Sequence, residues 1–79
     1  MIYFNTSKER IELAVKSIVY GNLIKVCKLE DDNSVLIQLI FKNGVELNHL
    51  LRLGISIYNV RISCNDEEQT LVTFLIYKS

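Results

Sequence analysis

The stretch S-V-L-I-Q-L-I-F-K, from Ser34 to Lys42, decides the fold of this chain, and Asn43-Gly44 follow it directly. Between Val35 and Phe41 the only polar residue is Gln38. A continuous apolar run of this length, bounded by turn residues, is typical of a strand buried on both faces. The run therefore predicts a central β-strand.

The residues on either side of this strand predict a hairpin before it and a short helix after it. Residues 23–29 alternate as a strand, and the acidic turn 30–33 joins them to the central strand. Asn43-Gly44 between apolar runs is a hairpin signal, which would make residues 45–47 a strand. However, residues 43–46 also have the form of a capping box, and Gly54 suits a helix end. We favour a helix over residues 45–53.

The two ends of the chain complete the pattern. Residues 6–9 form a capping box with Thr6 at the N-cap, and Ile11, Ala14, Val15 and Ile18 share one helical face. They predict a helix over residues 7–20 that ends at Gly21. Residues 55–64 predict a third strand, 65–69 a second acidic turn, and 70–78 a last strand.

Together these elements predict a single compact α+β domain over residues 1–79. Its order is αββαββ, with two helices on one face of a four-stranded, mainly antiparallel sheet. One series of signals occurs twice at similar spacing: capping box, helix, glycine, strand, acidic turn and strand. This repetition favours a degenerate αββ duplication. The alternative is that alternating elements merely look repetitive.

The parity of the strands predicts which side chains share a face. If Asn65 to Gln69 form the loop, Cys64 lies opposite Thr70 and the apolar side chains of both strands share one face. A loop from Glu30 to Asn33 puts Ile24 and Val26 on the face of the central strand that the helices cover. The opposite face is also unusually apolar; its predicted members are Leu23, Cys27, Leu29, Leu36, Ile40, Ile55, Ile57, Leu71, Leu75 and Tyr77.

An exposed apolar sheet face predicts an interface, since a contiguous apolar patch on a small protein usually marks a contact site. We expect a homodimer, because symmetric self-association is the commonest way to cover such a surface. The alternatives are a helix that crosses to this face, or scattered apolar surface of no consequence. The predicted interface residues are Leu36, Ile40, Leu71, Leu75 and Tyr77.

The acidic residues are concentrated in the two turns as Glu30, Asp31, Asp32 and Asp66, Glu67, Glu68. They form one cluster if the strands run up and down in sequence, and two separate tips if the second helix crosses over. We interpret them as docking tips for a basic partner or, more plainly, as solvated turns. A calcium site is not expected, because EF-hand spacing is absent.

No residue pattern predicts catalysis, a metal or a cofactor. His49 is the only histidine, and it falls with Glu46 and Arg52 on the polar side of the second helix. Cys27 and Cys64 lack the flanking pattern of a nucleophile or a zinc site. The three glycines are isolated from one another, so a phosphate loop is excluded. We therefore expect a protein that is not an enzyme.

Composition limits the partners. Nine basic and nine acidic residues cancel, so no bulk field attracts nucleic acid or an anionic membrane. Lys25, Lys28, Lys42 and Arg61 form a nucleic-acid stripe only if they gather on one surface. We expect a cytoplasmic protein for two reasons. The sequence shows neither a signal peptide nor an apolar span, and its two cysteines do not form a disulfide framework.

The predicted function is that of a small binding or regulatory protein that acts by protein contacts. A phage- or plasmid-type inhibitor of a host system is one version, which rests on small size and a composition typical of AT-rich genomes. The alternatives are a nucleic-acid-binding module and a small-ligand or enzyme domain.

Overall fold

The computed structural model describes residues 4, 6–19, 22–55 and 60–77. Within them the elements are α1 (Lys8–Ile18), β1 (Leu23–Glu30), β2 (Ser34–Phe41), α2 (Leu47–Arg52), β3 (Val60–Cys64) and β4 (Thr70–Tyr77). This order confirms the predicted α+β fold, including the helix after Asn43-Gly44. The predicted glycine C-cap at Gly21 and the strand residues 56–59 and 78 lie outside the described residues.

The four strands form one antiparallel sheet in the order β1-β2-β4-β3. β2 pairs with β4 from Ser34 opposite Tyr77 to Phe41 opposite Thr70, so the two hairpins meet along their second strands. Because both β2 and β3 are antiparallel to β4, β2 and β3 run in the same direction. The segment that contains α2 is therefore a crossover past β4.

One face of the sheet carries the core. Its buried side chains alternate along the two central strands, with Ile37, Leu39 and Phe41 from β2 and Val72 and Phe74 from β4. Both helices add to the same core: Ile11 and Val15 come from α1, and Leu50 and the adjacent Leu53 come from α2. The predicted apolar stripe of the first helix is therefore confirmed.

A bulge in β1 makes two of the predicted face assignments wrong. The register shifts between Leu23 and Lys25, so β1 contains one more residue than β2 over this stretch. Such an extra residue reverses the alternation of the strand beyond it. Leu23 therefore lies in the core opposite Phe41, while Ile24 is 41% exposed.

Ile55 also lies in the core and not on the opposite face. It follows a Schellman motif: Gly54 has φ 82°, its N–H donates to Leu51, and the N–H of Ile55 donates to Leu50. Leu50 and Ile55 are both buried. Gly54 thus ends α2 as predicted, and the chain from Gly54 to Ile55 is not part of a strand.

The helix starts differ from the predicted capping boxes. Ser7, not Thr6, is the N-cap of α1, and its hydroxyl accepts a hydrogen bond from the Arg10 N–H at 3.3 Å. α2 begins after Glu46, which makes no side-chain capping bond, so the Asn43 box does not form.

Candidate functional site

The face of the sheet opposite the core is the open face, and its residues lie in rows across the strands. The apolar row runs Leu29, Leu36, Leu75. The polar row runs Cys27, Gln38, Thr73, Arg61. The third row runs Lys25, Ile40, Leu71, Ser63. The register places the apolar row near the end of the sheet where Ser34 pairs with Tyr77.

The apolar end of the open face consists of Leu29, Leu36, Leu75 and Tyr77. Leu29 is 68% exposed, Leu75 is 45% exposed and Tyr77 is 77% exposed, whereas Leu36 between them is half-buried. Leaving a large apolar side chain in water forgoes roughly 1.5–3 kcal/mol relative to its burial. Several such side chains side by side are what a contact surface requires.

A surface depression of about 540 Å³ lies within this end of the face. Its walls include Leu36, Leu75 and Tyr77 from the apolar end, with Thr73 and Arg61 beside them. Arg61 is exposed and stands in β3, at the edge of the sheet. The residues that line the depression therefore combine apolar side chains with one arginine.

The polar row separates the apolar end from the rest of the open face. Gln38 donates a hydrogen bond from Nε2 to Thr73 Oγ1 at 3.2 Å, across the central strand pair. The far row is less available than the sequence indicates, because Ile40 is only 7% exposed and Leu71 is half-buried. Of the predicted interface residues, Leu36, Leu75 and Tyr77 are brought together, and Ile40 and Leu71 lie beyond the polar row.

The two acidic turns lie at opposite ends of the sheet. The first precedes Ser34, which pairs with Tyr77, and the second precedes Thr70, which pairs with Phe41. The crossover alternative is therefore the correct one, and the six acidic residues do not form a single cluster.

Asp31 holds the first turn in shape. Its Oδ1 accepts from the Asn33 N–H at 2.8 Å and from the Ser34 N–H at 2.7 Å. The turn thus starts at Asp31, and Glu30 belongs to β1 opposite Val35. The predicted loop from Glu30 to Asn33 is one residue too early, and Val26 pairs with Leu39 while keeping its predicted face.

Asn65 organises the second turn. Its Oδ1 accepts from the N–H groups of Glu67 and Gln69, both at 3.0 Å, and its Nδ2 donates to Gln69 Oε1 at 2.7 Å. The predicted pairing of Cys64 with Thr70 is confirmed. Both acidic turns therefore owe their shape to one Asp or Asn, and Asp32, Asp66, Glu67 and Glu68 are exposed around them.

Three of the four basic residues of the predicted stripe, Lys25, Lys28 and Arg61, do not gather on one surface. Lys28 lies on the core side of β1, opposite Ile37, and its Nζ donates to the Thr6 carbonyl at 2.7 Å. Lys25 and Arg61 are on the open face, but in β1 and β3, the two edge strands. Three strand spacings of roughly 4.8 Å separate those strands.

The chemistry-bearing residues remain apart. His49 is half-buried, not the plain surface residue that the sequence predicts, and its Nδ1 has no hydrogen-bond partner. Cys27 and Cys64 are free thiols in opposite edge strands, too far apart for a disulfide. Across the part of the chain that the structure describes, no group of three metal-ligating side chains assembles. Neither described helix is long and apolar enough to cross a bilayer.

The position of Arg61 beside the apolar end of the open face is not visible in the sequence. Leu29 and Arg61 belong to two separate sequence patterns, one to the apolar face and one to the basic stripe. Only the strand order, with β4 between β2 and β3, brings Arg61 beside Leu36 and Tyr77. Alternation along single strands carries no information about this order.

No protein-family model matches this chain, and no curated protein or solved structure is significantly similar to it.

Proposed function

We propose that this protein is a non-catalytic binding domain that contacts another protein through the apolar end of its open face. The observation that carries the proposal is the exposure of Leu29, Leu75 and Tyr77 at one end of the open face, where Leu75 and Tyr77 also line the depression. These three side chains lie outside the hydrophobic core that the described residues form, so burial in that core does not account for their placement.

The depression indicates the chemistry of the partner. Its apolar lining residues suit one large aliphatic or aromatic side chain, and Arg61, which also lines it, suits a carboxylate. The described open face carries Lys25 and Arg61 and no acidic side chain. We therefore propose a partner segment that presents a bulky apolar residue close to an aspartate or glutamate.

Binding at one end of the face accounts for the polar row better than contact over the whole sheet. Full coverage would take Gln38 and Thr73, as well as Arg61, out of water. Burying polar groups without new hydrogen bonds is unfavourable by about 1–3 kcal/mol each. A contact limited to the apolar end leaves Cys27 and Gln38 of that row uncovered and gives Arg61 a carboxylate partner.

Selection from a random peptide display library tests the proposal and does not require the partner to be identified. We expect the wild-type protein to enrich peptides that combine a large apolar residue with an acidic one. Leu75→Lys should weaken their binding at least tenfold, since it puts a charge on the wall of the depression. Arg61→Gln should weaken only the acidic peptides.

Leu13→Lys is the matched control, because Leu13 is 70% exposed on α1, away from the open face. Circular dichroism of each variant verifies that the fold is kept. Peptides that bind Leu75→Lys as tightly as the wild type would place the contact elsewhere and overturn the proposal. Failure to enrich any peptide over the bare support would also count against it.

Three finer predictions stay predictions. The cytoplasmic location draws support from the two separated thiols, since a disulfide between them is geometrically impossible. The phage- or plasmid-type inhibitor role rests on size and composition alone. The homodimer has better support at a different surface, the edge strand β3.

A further inference from the structure

β3 forms an edge of the sheet with an apolar side chain left outside the core. Among the described residues it pairs with β4 alone. Ile62 points to the core side of the sheet, opposite Val72, yet it is 50% exposed. α1 packs against β1, at the far edge of the sheet, and does not cover Ile62.

The sequence of β3, V-R-I-S-C, matches itself in the antiparallel direction. Centred on Ile62, two copies place Ile62 opposite Ile62 and Val60 opposite Cys64 on the core side. On the open face each Arg61 lies opposite Ser63 of the second copy. Apolar residues thus meet apolar residues, and no like charges are directly opposed. Centring the pair on Arg61 would instead oppose two guanidinium groups.

We propose that β3 pairs antiparallel with β3 of a second copy of this chain, in the register centred on Ile62. The two-fold axis then stands perpendicular to the sheet, and the four strands of each copy join into one sheet of eight. The helices of both copies lie on one side and both open faces lie on the other. This dimer leaves the apolar ends of the open faces free, so it does not rest on the proposed function.

The other edge of the sheet explains why the assembly stops at two copies. β1 carries the bulge at Ile24, and exposed Lys25 follows it. Bulges and lysines are the features that prevent edge strands from pairing. Of the two edges, only β3 is regular along its described length, so the association closes as a symmetric dimer.

The contact is small, and its size determines what is expected in solution. Only five residues of each strand take part, which is less surface than the roughly 1,200 Å² that stable interfaces bury. We therefore expect a dimer whose fraction rises with protein concentration, not a permanent one.

Cross-linking tests the register. With both natural cysteines replaced by serine, Ile62→Cys should be linked to a covalent dimer by a short bismaleimide in proportion to the dimer fraction. Leu13→Cys in the same background is the control, because it is similarly exposed and lies on the outer surface of α1. Equal cross-linking of Ile62→Cys and Leu13→Cys would overturn the proposal.

Light scattering across a range of concentrations provides the independent measurement. Ile62→Lys should remain monomeric where the wild type dimerises, since it opposes two lysines, and Leu13→Lys and Leu75→Lys should dimerise normally. A wild-type protein that is monomeric at every concentration would refute the edge dimer.

A second outcome would also refute it: dissociation of the dimer by Leu75→Lys but not by Ile62→Lys. That result would assign self-association to the open face. Peptide binding by monomeric Ile62→Lys separates this result from the fate of the proposed function.

Discussion

Glu68 is held in a backbone conformation that its side chain disfavours. It has φ 62°, and it ends the three-residue loop between Asn65 and Gln69, whose backbone groups are hydrogen-bonded at 3.1 Å. A loop of this length places its last residue in the left-handed region, where glycine is the preferred residue. A non-glycine residue there is disfavoured by about 1–2 kcal/mol.

Glu68→Gly should therefore raise the free energy of unfolding by about 0.5–1 kcal/mol, the strain relieved less the greater flexibility of glycine. Urea unfolding followed by circular dichroism measures the change. Glu68→Gln retains the strain and removes the charge, so it should differ little from the wild type. If Glu68→Gln stabilises the protein as much as Glu68→Gly does, repulsion among the acidic side chains and not backbone strain is the cause.

Gly54 shows the opposite case and explains what sequence alone reveals at this scale. Its φ of 82° closes the Schellman motif after α2. A glycine after an apolar helical pattern predicts this left-handed conformation from the sequence. Glu68 has the same kind of backbone geometry without the glycine. The strain there is set by the pairing of Cys64 with Thr70, and the residue type at position 68 alone does not encode it.

Phe4 and Thr6, which precede α1, are both anchored to the sheet. Phe4 is buried, and its ring meets Phe74 edge to face, with centroids 4.9 Å apart and planes at 78°. Two residues on, the Thr6 carbonyl accepts from Lys28. The sequence leaves open whether the first residues form an edge strand or trail, because a single aromatic residue before a helix has no periodicity to interpret.

Phe4→Ala should lower the free energy of unfolding by about 3 kcal/mol, since it removes a buried ring and leaves a cavity beside Phe74. This loss is large for a domain of 79 residues, whose total stability is about 4–12 kcal/mol. Thermal and urea unfolding measure it. Leu13→Ala, on the exposed side of α1, should change stability by less than about 0.5 kcal/mol. Equal effects of the two substitutions would mean that Phe4 contributes nothing to the core.

Parity predicts the faces of the sheet wherever the strands are regular. Leu36, Leu75 and Tyr77 share a face in β2 and β4 because alternation with period two survives any even slip of register, and the first hairpin does slip by two. Leu23 and Ile24 are exchanged because the bulge adds one residue, and no residue in that stretch signals a bulge. Ile55 is misplaced because the predicted strand begins too close to Gly54.

Strand order governs how charge is distributed over the whole molecule, and it is the feature least visible in the sequence. The order β1-β2-β4-β3 sends the two acidic turns to opposite ends and places Lys25 and Arg61 at opposite edges. Lys28 faces the core side, tied to Thr6 and 3.7 Å from a Glu30 carboxylate oxygen. Among the described residues, Lys25, Lys28 and Arg61 therefore do not line up along one surface, as contacts to a phosphate backbone would require.

The protein should therefore pass through a heparin column at physiological salt without retention. Binding to a polyanion depends on gathered lysines and arginines, and each neutralised phosphate steepens the dependence on salt. Asp66→Asn/Glu67→Gln/Glu68→Gln raises the net charge without gathering the basic residues, so we expect at most slight retention for this variant. Steep salt-dependent retention of the wild type, abolished by Arg61→Gln or Lys25→Gln, would show that the open face binds nucleic acid. That outcome would mean that Arg61 binds a phosphate and not a partner's carboxylate, because a guanidinium group can bind either anion.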